Sequence, residues 1–261
     1  PLASDPSPPW GGKPQLGMPS PRIALPMIDF DRDGKRDLVS FSTRSSDAIG
    51  SNTAEWTFRT SSDFTVARPV LRFGRLDDIP VPGFYDSDMI TDQAVYRPGE
   101  AGSGAPTDVS TWYWCPSADR TTPPSCALTG YGAAIFGTRE DVPLPGLNLG
   151  PGRYLAVYRP SNGTFYWTQI GVWTLFSAQV AQPNTPSFPM PGLYDADDLI
   201  DFATYDPYGS RFDLVLSSTG WSTASKRVRV FDARFRPTPD ETVGWPVTGI
   251  RRALPVAGSP V

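Results

Sequence analysis

The sequence predicts an all-β chain: a β-propeller of four to five blades, each with four antiparallel strands. Three observations lead there. A short Pro-centred motif recurs along the chain, aromatic strands follow it, and acidic turns lie between the two.

The motif is an apolar residue, Pro, an apolar residue and then usually Pro-Gly. It reads Ile79-Pro80-Val81-Pro82-Gly83, Val142-Pro143-Leu144-Pro145-Gly146 and Phe188-Pro189-Met190-Pro191-Gly192. Weaker copies are Leu25-Pro26-Met27 and Leu254-Pro255-Val256-Ala257-Gly258. A second strand ends in a shared signature: Ala94-Val95-Tyr96-Arg97-Pro98, Ala156-Val157-Tyr158-Arg159-Pro160 and Ala203-Thr204-Tyr205-Asp206-Pro207. A third strand carries aromatics, at Trp56-Thr57-Phe58, Thr111-Trp112-Tyr113-Trp114, Thr164-Phe165-Tyr166-Trp167 and, with one aromatic, Phe212-Asp213-Leu214-Val215-Leu216. Phe73-Gly74 and Phe136-Gly137 mark a fourth strand before the next motif. Four short strands per period of roughly 45–65 residues is the pattern of a propeller, in which neighbouring sheets bury one another's faces. Composition agrees: the 261 residues include 30 Pro and 24 Gly, and no long segment has helical periodicity. A β-sandwich would not need the same motif five times.

The first acidic turn is the richest. Asp29-Phe30-Asp31-Arg32-Asp33-Gly34-Lys35-Arg36-Asp37 places carboxylates at positions 1, 3, 5 and 9 and Gly at position 6. Alternate carboxylates on a tight turn can converge on a hard cation, which takes about six to eight oxygens at roughly 2.3–2.6 Å. The spacing makes Asp29, Asp31, Asp33 and Asp37 calcium ligands, with the Lys35 carbonyl at position 7. The helix–loop–helix version needs Glu at position 12, where this chain has Ser40, and the residues that follow alternate like a strand. The second and fourth copies, ending at Asp92 and Asp201, lack the first Asp and the Gly. Asp86, Asp88, Asp92, Asp195, Asp197 and Asp201 are therefore weaker metal candidates, and Asx-capped turns are the preferred reading there. The third copy, Leu147 to Tyr154, has no carboxylate and is one residue shorter; Arg153 would put a positive charge where an ion would sit.

This combination of Pro-Val-Pro-Gly strand, Asp-rich loop and Tyr-Arg-Pro ending resembles the FG-GAP/VCBS repeat family, known from integrin α-subunit heads and bacterial surface proteins. The resemblance spans about residues 14–258. It implies propeller blades, calcium in the loops, and binding or adhesion as the role.

On this reading residues 1–14 are a Pro-rich extended arm, and 15–261 form one propeller domain. Repeats lie near 24–74, 79–137, 142–182 and 187–235, with a partial repeat at 252–261. The termini together supply half of a fifth blade, so either that blade is reduced or the chain is a fragment. No apolar run is long enough to cross a membrane.

Cys115 and Cys126 flank ten residues and read as a disulfide stapling a hairpin loop, worth up to about 3 kcal/mol. Two unpaired thiols are the alternative. A Cys pair without His cannot make a tetrahedral zinc site. Disulfide and low-affinity calcium loops together point to an extracellular or cell-surface protein. The formal net charge of −4 gives no footprint for nucleic acid, and the Lys226–Arg229 cluster reads as one solvated face of a strand. Asn162-Gly163 reads as a tight turn rather than a glycosylation site.

The chain has no histidine, which removes the commonest general base and both His-containing triads. Paired carboxylates remain, but they cluster on the calcium loops. Asp77-Asp78 and Glu140-Asp141 occupy matching repeat positions and read as structural. The expected role is therefore non-enzymatic: a protein-interaction or adhesion module, with a carbohydrate-binding module as the alternative. Trp112, Tyr113, Trp114, Tyr166, Trp167 and Trp173 could stack on sugars, although bulky aromatics also pack sheets together. Insertions at 44–54, 99–108 and 117–131 break the repeat and are the expected partner contacts.

Overall fold

The computed structural model describes residues 28–30, 33–42, 53–63, 71–88, 90–99, 109–116 and 130–230. The arm, the end motifs Leu25-Pro26-Met27 and Leu254 to Gly258, Asp31, Cys126 and almost all of the three insertions lie outside the described residues.

The described residues are all-β and form four consecutive antiparallel sheets in which neighbours in sequence are neighbours in space. The first sheet contains β1 (Leu38–Ser42), β2 (Glu55–Arg59) and β3 (Leu71–Arg72). The second contains β4 (Ile79–Pro80), β5 (Gln93–Arg97), β6 (Val109–Cys115) and β7 (Gly132–Thr138). The third contains β8 (Val142–Pro143), β9 (Tyr154–Arg159), β10 (Thr164–Gln169) and β11 (Leu175–Gln179). The fourth contains β12 (Phe188–Pro189), β13 (Phe202–Asp206), β14 (Arg211–Val215) and β15 (Arg227–Val230). The helical elements among the described residues are two 3-10 turns, Ser217–Thr219 and Thr223–Ser225. No described helix is long and apolar enough to cross a membrane.

Each Pro-motif strand sits at a sheet edge, where a residue without an N–H does no harm. The residue after the Pro restores the ladder: Val81, Leu144 and Met190 donate to the carbonyls of Ala94, Ala156 and Ala203 at 2.8, 2.8 and 2.7 Å. The Phe-Gly dipeptides leave the last strand in a left-handed conformation, with φ of 92° at Gly74 and 101° at Gly137. A Cβ there would lie 2.8 Å from a Val95 methyl and 2.7 Å from the Tyr96 hydroxyl, so neighbouring strands also demand glycine.

Strand alternation gives the second, third and fourth sheets two buried faces. Val95 packs with Trp56 and Phe58 of the first sheet, against which Tyr113 also lies. Ala94, Tyr96, Trp112 and Trp114, on the opposite face, pack with Leu155 and Val157 of the third sheet. Ala156, Tyr158, Phe165 and Trp167 then pack with Ile200, Phe202 and Val215 of the fourth. Trp112 and Trp114 thus share a face opposite Tyr113, as the alternation predicts. Leu155, Val157, Phe165 and Phe202 are fully buried, and such side chains supply most of the driving force for folding.

The Asp before the Pro strand and the Arg of Tyr-Arg-Pro form one device. Arg97 grips Asp78 with two hydrogen bonds of 2.7 and 2.9 Å, and Arg159 grips Asp141 at 2.8 and 2.9 Å. Each guanidinium also lies over a ring, 4.5 Å from Tyr113 and 4.6 Å from Tyr166. Asp78 and Asp141 further cap their own turns, accepting from the amides of Arg75 and Thr138. In the fourth sheet both members change together: Asp206 replaces the Arg and Ser187 replaces the Asp, and Ser187 meets the Tyr158 hydroxyl instead. The loss of the Arg thus leaves no buried Asp without its partner at this place, which would cost several kcal/mol.

Two sequence readings are refined. Asn162-Gly163 does form the β9–β10 turn: Gly163 has φ 67°, and the Asn162 amide donates to the Tyr166 hydroxyl at 2.8 Å. Lys226 is not simply solvated. Its Nζ donates to the Val180 carbonyl at 3.1 Å and lies 3.7 Å from Asp213, joining the third sheet to the fourth.

Candidate metal loops

The second and fourth acidic turns join the Pro strand to the second strand, and the ends of all three acidic turns are pinned by backbone hydrogen bonds. Gly83 bridges to Asp92 and Gly192 to Asp201, while the Asp37 amide donates to Ile28 at 2.7 Å. The ninth-position Asp then closes the turn from within. Its carboxylate accepts the amide of the position-two aromatic in three repeats: Phe30 to Asp37 at 2.6 Å, Tyr85 to Asp92 at 2.8 Å and Tyr194 to Asp201 at 2.6 Å. The tyrosines are anchored further, their hydroxyls donating to the Val81 and Met190 carbonyls. Burial pushes both phenols well up in pKa, so they stay neutral donors.

The remaining acids are held by Asx turns. The Asp88 and Ile90 amides donate to Asp86 and Asp88, and the Asp197 and Leu199 amides to Asp195 and Asp197. The capping expected of the second and fourth loops is therefore present, but it does not exclude a metal. Ligand oxygens of Asp86, Asp88 and Asp92 all lie within 4.8 Å of one another, and so do those of Asp195, Asp197 and Asp201. Two oxygens on one hard cation can be at most about 5 Å apart, twice a bond of roughly 2.4 Å. Both triads could hold a metal ion. Their ligand atoms are all oxygens, which suits a hard divalent cation and not zinc held by Cys or His. Asp92 and Asp201 are fully buried; the other four acids are half-buried.

These are the loops that the spacing ranked lower. In the first loop Asp31 lies outside the described residues. Its Asp29 accepts the Gly34 amide at 3.0 Å, with Gly34 at φ 79° giving the sharp turn, and Asp33 accepts the Lys35 amide at 2.8 Å. The third loop brings no acid to the corresponding place; Leu147 and Leu149 are buried there in the core shared with the fourth sheet.

Serines complete the sites, and the sequence reading missed them. Ser61 and Ser217 donate their amides to Asp37 and Asp201 at 2.8 and 2.7 Å. The Ser61 hydroxyl contacts Asp33 at 2.5 Å, and the Ser217 hydroxyl lies 2.9 Å from oxygens of Asp197 and Asp201. Ser218 adds a hydroxyl on Asp195 at 2.6 Å. The signal was in the register. The place of Ser61 and Ser217 is taken by Ser117 in the second repeat and by Ile170 in the third, so serine stands wherever the loop is acidic. Ser117 itself lies outside the described residues.

The electrostatics separate the two triads. Burial raises the pKa of Asp86; the Asp88 amide opposes the shift, the Asp88 carboxylate reinforces it, and the Arg153 charge opposes it. Burial likewise raises Asp201, against the Ser217 and Tyr194 amides. At Asp195 burial is again the largest influence, but the Ser218 hydroxyl and the Asp197 amide together outweigh it and the pKa falls. The Ser61 hydroxyl lowers Asp33. The Arg153 charge is close enough to the second loop to act on Asp86.

No family model matches this chain, and neither a curated protein nor a solved structure does.

Proposed function

We propose that this chain is a calcium-stabilised β-propeller of the FG-GAP/VCBS kind, working outside the cell as a protein-interaction or adhesion module rather than as a catalyst. The observation that carries the reading is recurrence. The same amide-closed acidic loop appears in three sheets, and each sheet shares a buried face with the next. Face sharing between short consecutive sheets is what radial stacking requires. Calcium is the hard cation that suits flexible oxygen-only loops at millimolar extracellular concentrations. The Cys115–Cys126 disulfide belongs to the same reading; Cys115 is fully buried at the end of β6.

The loop carboxylates are turned inward onto amides and hydroxyls, which suits an ion that ties strands together. The surface offers a contact elsewhere. Val172, Trp173, Leu175 and Phe176, on the turn into β11 and on that edge strand, are 58%, 52%, 62% and 43% exposed. A contiguous apolar patch of this kind on a soluble surface marks an interaction site. With the insertions it makes up the proposed partner surface.

A carbohydrate-binding reading is favoured by one observation: Trp173 and Phe176 present aromatic surface to solvent. Trp112, Trp114 and Trp167 support it less, because they are buried between sheets. A glycan array probed with the purified chain and with Trp173→Ala separates the two. The expected result is no specific glycan binding. Specific binding that disappears in Trp173→Ala would replace the protein-interaction reading with a lectin.

A further inference from the structure

In the second and fourth loops the residue just before the ninth position touches the loop of the preceding repeat. Thr91 shows this twice: its hydroxyl accepts the Asp29 amide at 2.9 Å and its amide donates to the Asp29 carbonyl. Ile200 repeats the contact, donating to the Asn148 carbonyl at 2.9 Å. Strand register gives that place in the third repeat to Arg153, which directly precedes β9. Leu155 and Val157, two and four residues further on, pack on the second sheet beside Val81 and Tyr85. Alternation places Arg153 on that same face, next to the Asp86 turn. Its Nε is buried and makes no hydrogen bond.

The fourth triad has different company. Asp195, Asp197 and Asp201 receive the hydroxyls of Ser217 and Ser218 and the amides of Tyr194 and Ser217. In the second repeat the counterparts of these serines in sequence are Ser117 and Ala118, which lie outside the described residues.

We propose that Arg153, reaching across from the third repeat, sets the order in which the two triads take a divalent cation: Asp195, Asp197 and Asp201 first, and Asp86, Asp88 and Asp92 only at higher concentration. This rests on the reading of both triads as cation sites. A fixed positive charge beside the second loop repels an incoming divalent ion, and it does so twice as strongly as it would a monovalent one. The third repeat, which has lost its own acidic loop, thereby keeps a say in its neighbour's.

The test is calcium titration by calorimetry on the full chain, with the first loop silenced by Asp31→Asn and Asp33→Asn. Two binding steps are expected, and Asp195→Asn with Asp197→Asn should remove the tighter one. Arg153→Gln and Arg153→Met should each tighten the weaker step about threefold to tenfold, the range of one partly screened charge. Arg153→Lys should leave it within about twofold. Two neutral variants guard against a local packing effect, and melting curves check that each is folded. A weaker step unmoved by both neutral variants would overturn the role of Arg153, as would loss of the tighter step on Asp86→Asn with Asp88→Asn. Absence of any calcium heat in the parent chain would instead remove the cation reading on which this inference rests.

Discussion

The third and fourth loops occupy the same place between the Pro strand and the second strand, yet they are held by opposite means. The third is closed by burial. Leu147 and Leu149 are 6% and 4% exposed and enter the core, while Asn148 donates to the Asp198 carbonyl at 2.8 Å. The fourth is closed by polar contacts around three carboxylates, and Leu193, where its chain enters, is 47% exposed. Apolar closure is indifferent to what is dissolved around it. Polar closure brings like charges together, and under the proposed reading a counter-ion completes it. The difference teaches that one fold position can be either unconditional or conditional on an ion, according to a handful of side chains.

The contrast is sharpest on truncation. Leu149→Ala should cost about 2–4 kcal/mol, from lost transfer and the cavity left behind. The loss should be the same with calcium or with chelator, as read from denaturant melts. A loss that calcium relieves would erase the distinction between the two loops. Asp201→Ala should come next, at about 2–3 kcal/mol, because the Tyr194 and Ser217 amides lose their acceptor. In that variant the effect of calcium on the melting temperature should shrink, whereas in Leu149→Ala it should persist.

Chelation of the unmodified chain should have a smaller effect. For an assumed dissociation constant of about 0.1 mM and about 1 mM free ion, each filled site adds roughly 1.4 kcal/mol. The effect should depend on pH with a definite sign. Asp86 and Asp201 have folded pKa values raised above the ordinary 3.8, so in the ion-free protein their contribution to stability is present below that value and is lost as pH rises through the raised ones. The ion binds the charged forms. The gap in melting temperature between calcium-loaded and calcium-free protein should therefore widen from about pH 4.5 to pH 7. A gap that narrows over that range would contradict the raised values.

Much of this was legible in the sequence because it depends on local spacing. Pro-x-Pro-Gly must sit at an edge, aromatic alternation must split Trp112 and Trp114 from Tyr113, and acids at odd positions of a tight turn must converge. What escaped depends on register between strands. Ser61 and Ser217 look like ordinary loop serines until pairing sets them against Asp37 and Asp201. The sequence sets the Arg153 charge in the third loop, and its influence on Asp86 follows only from the packing of Leu155 on the second sheet. Trp221 was invisible for a similar reason. It adopts a left-handed φ of 55°, donates to the Ile200 carbonyl at 2.9 Å and lies against Trp167 and Phe202, a contact no linear pattern announces.

The smallest effect expected is that of Ser218→Ala. It should raise the pKa of Asp195 and weaken calcium at the fourth loop by no more than about fivefold, the worth of one exposed hydrogen bond, measured by calorimetry at neutral pH.

The most direct measurement is the calcium stoichiometry of the chelated, refilled chain, compared with that of Asp195→Asn combined with Asp197→Asn. The expected result is measurable calcium binding that falls by one ion per chain in the double variant, with the melting temperature rising on refilling in both. Calcium binding undiminished in the double variant, or a parent chain that neither binds calcium nor melts differently after chelation, would contradict the assignment of the acidic loops as ion sites.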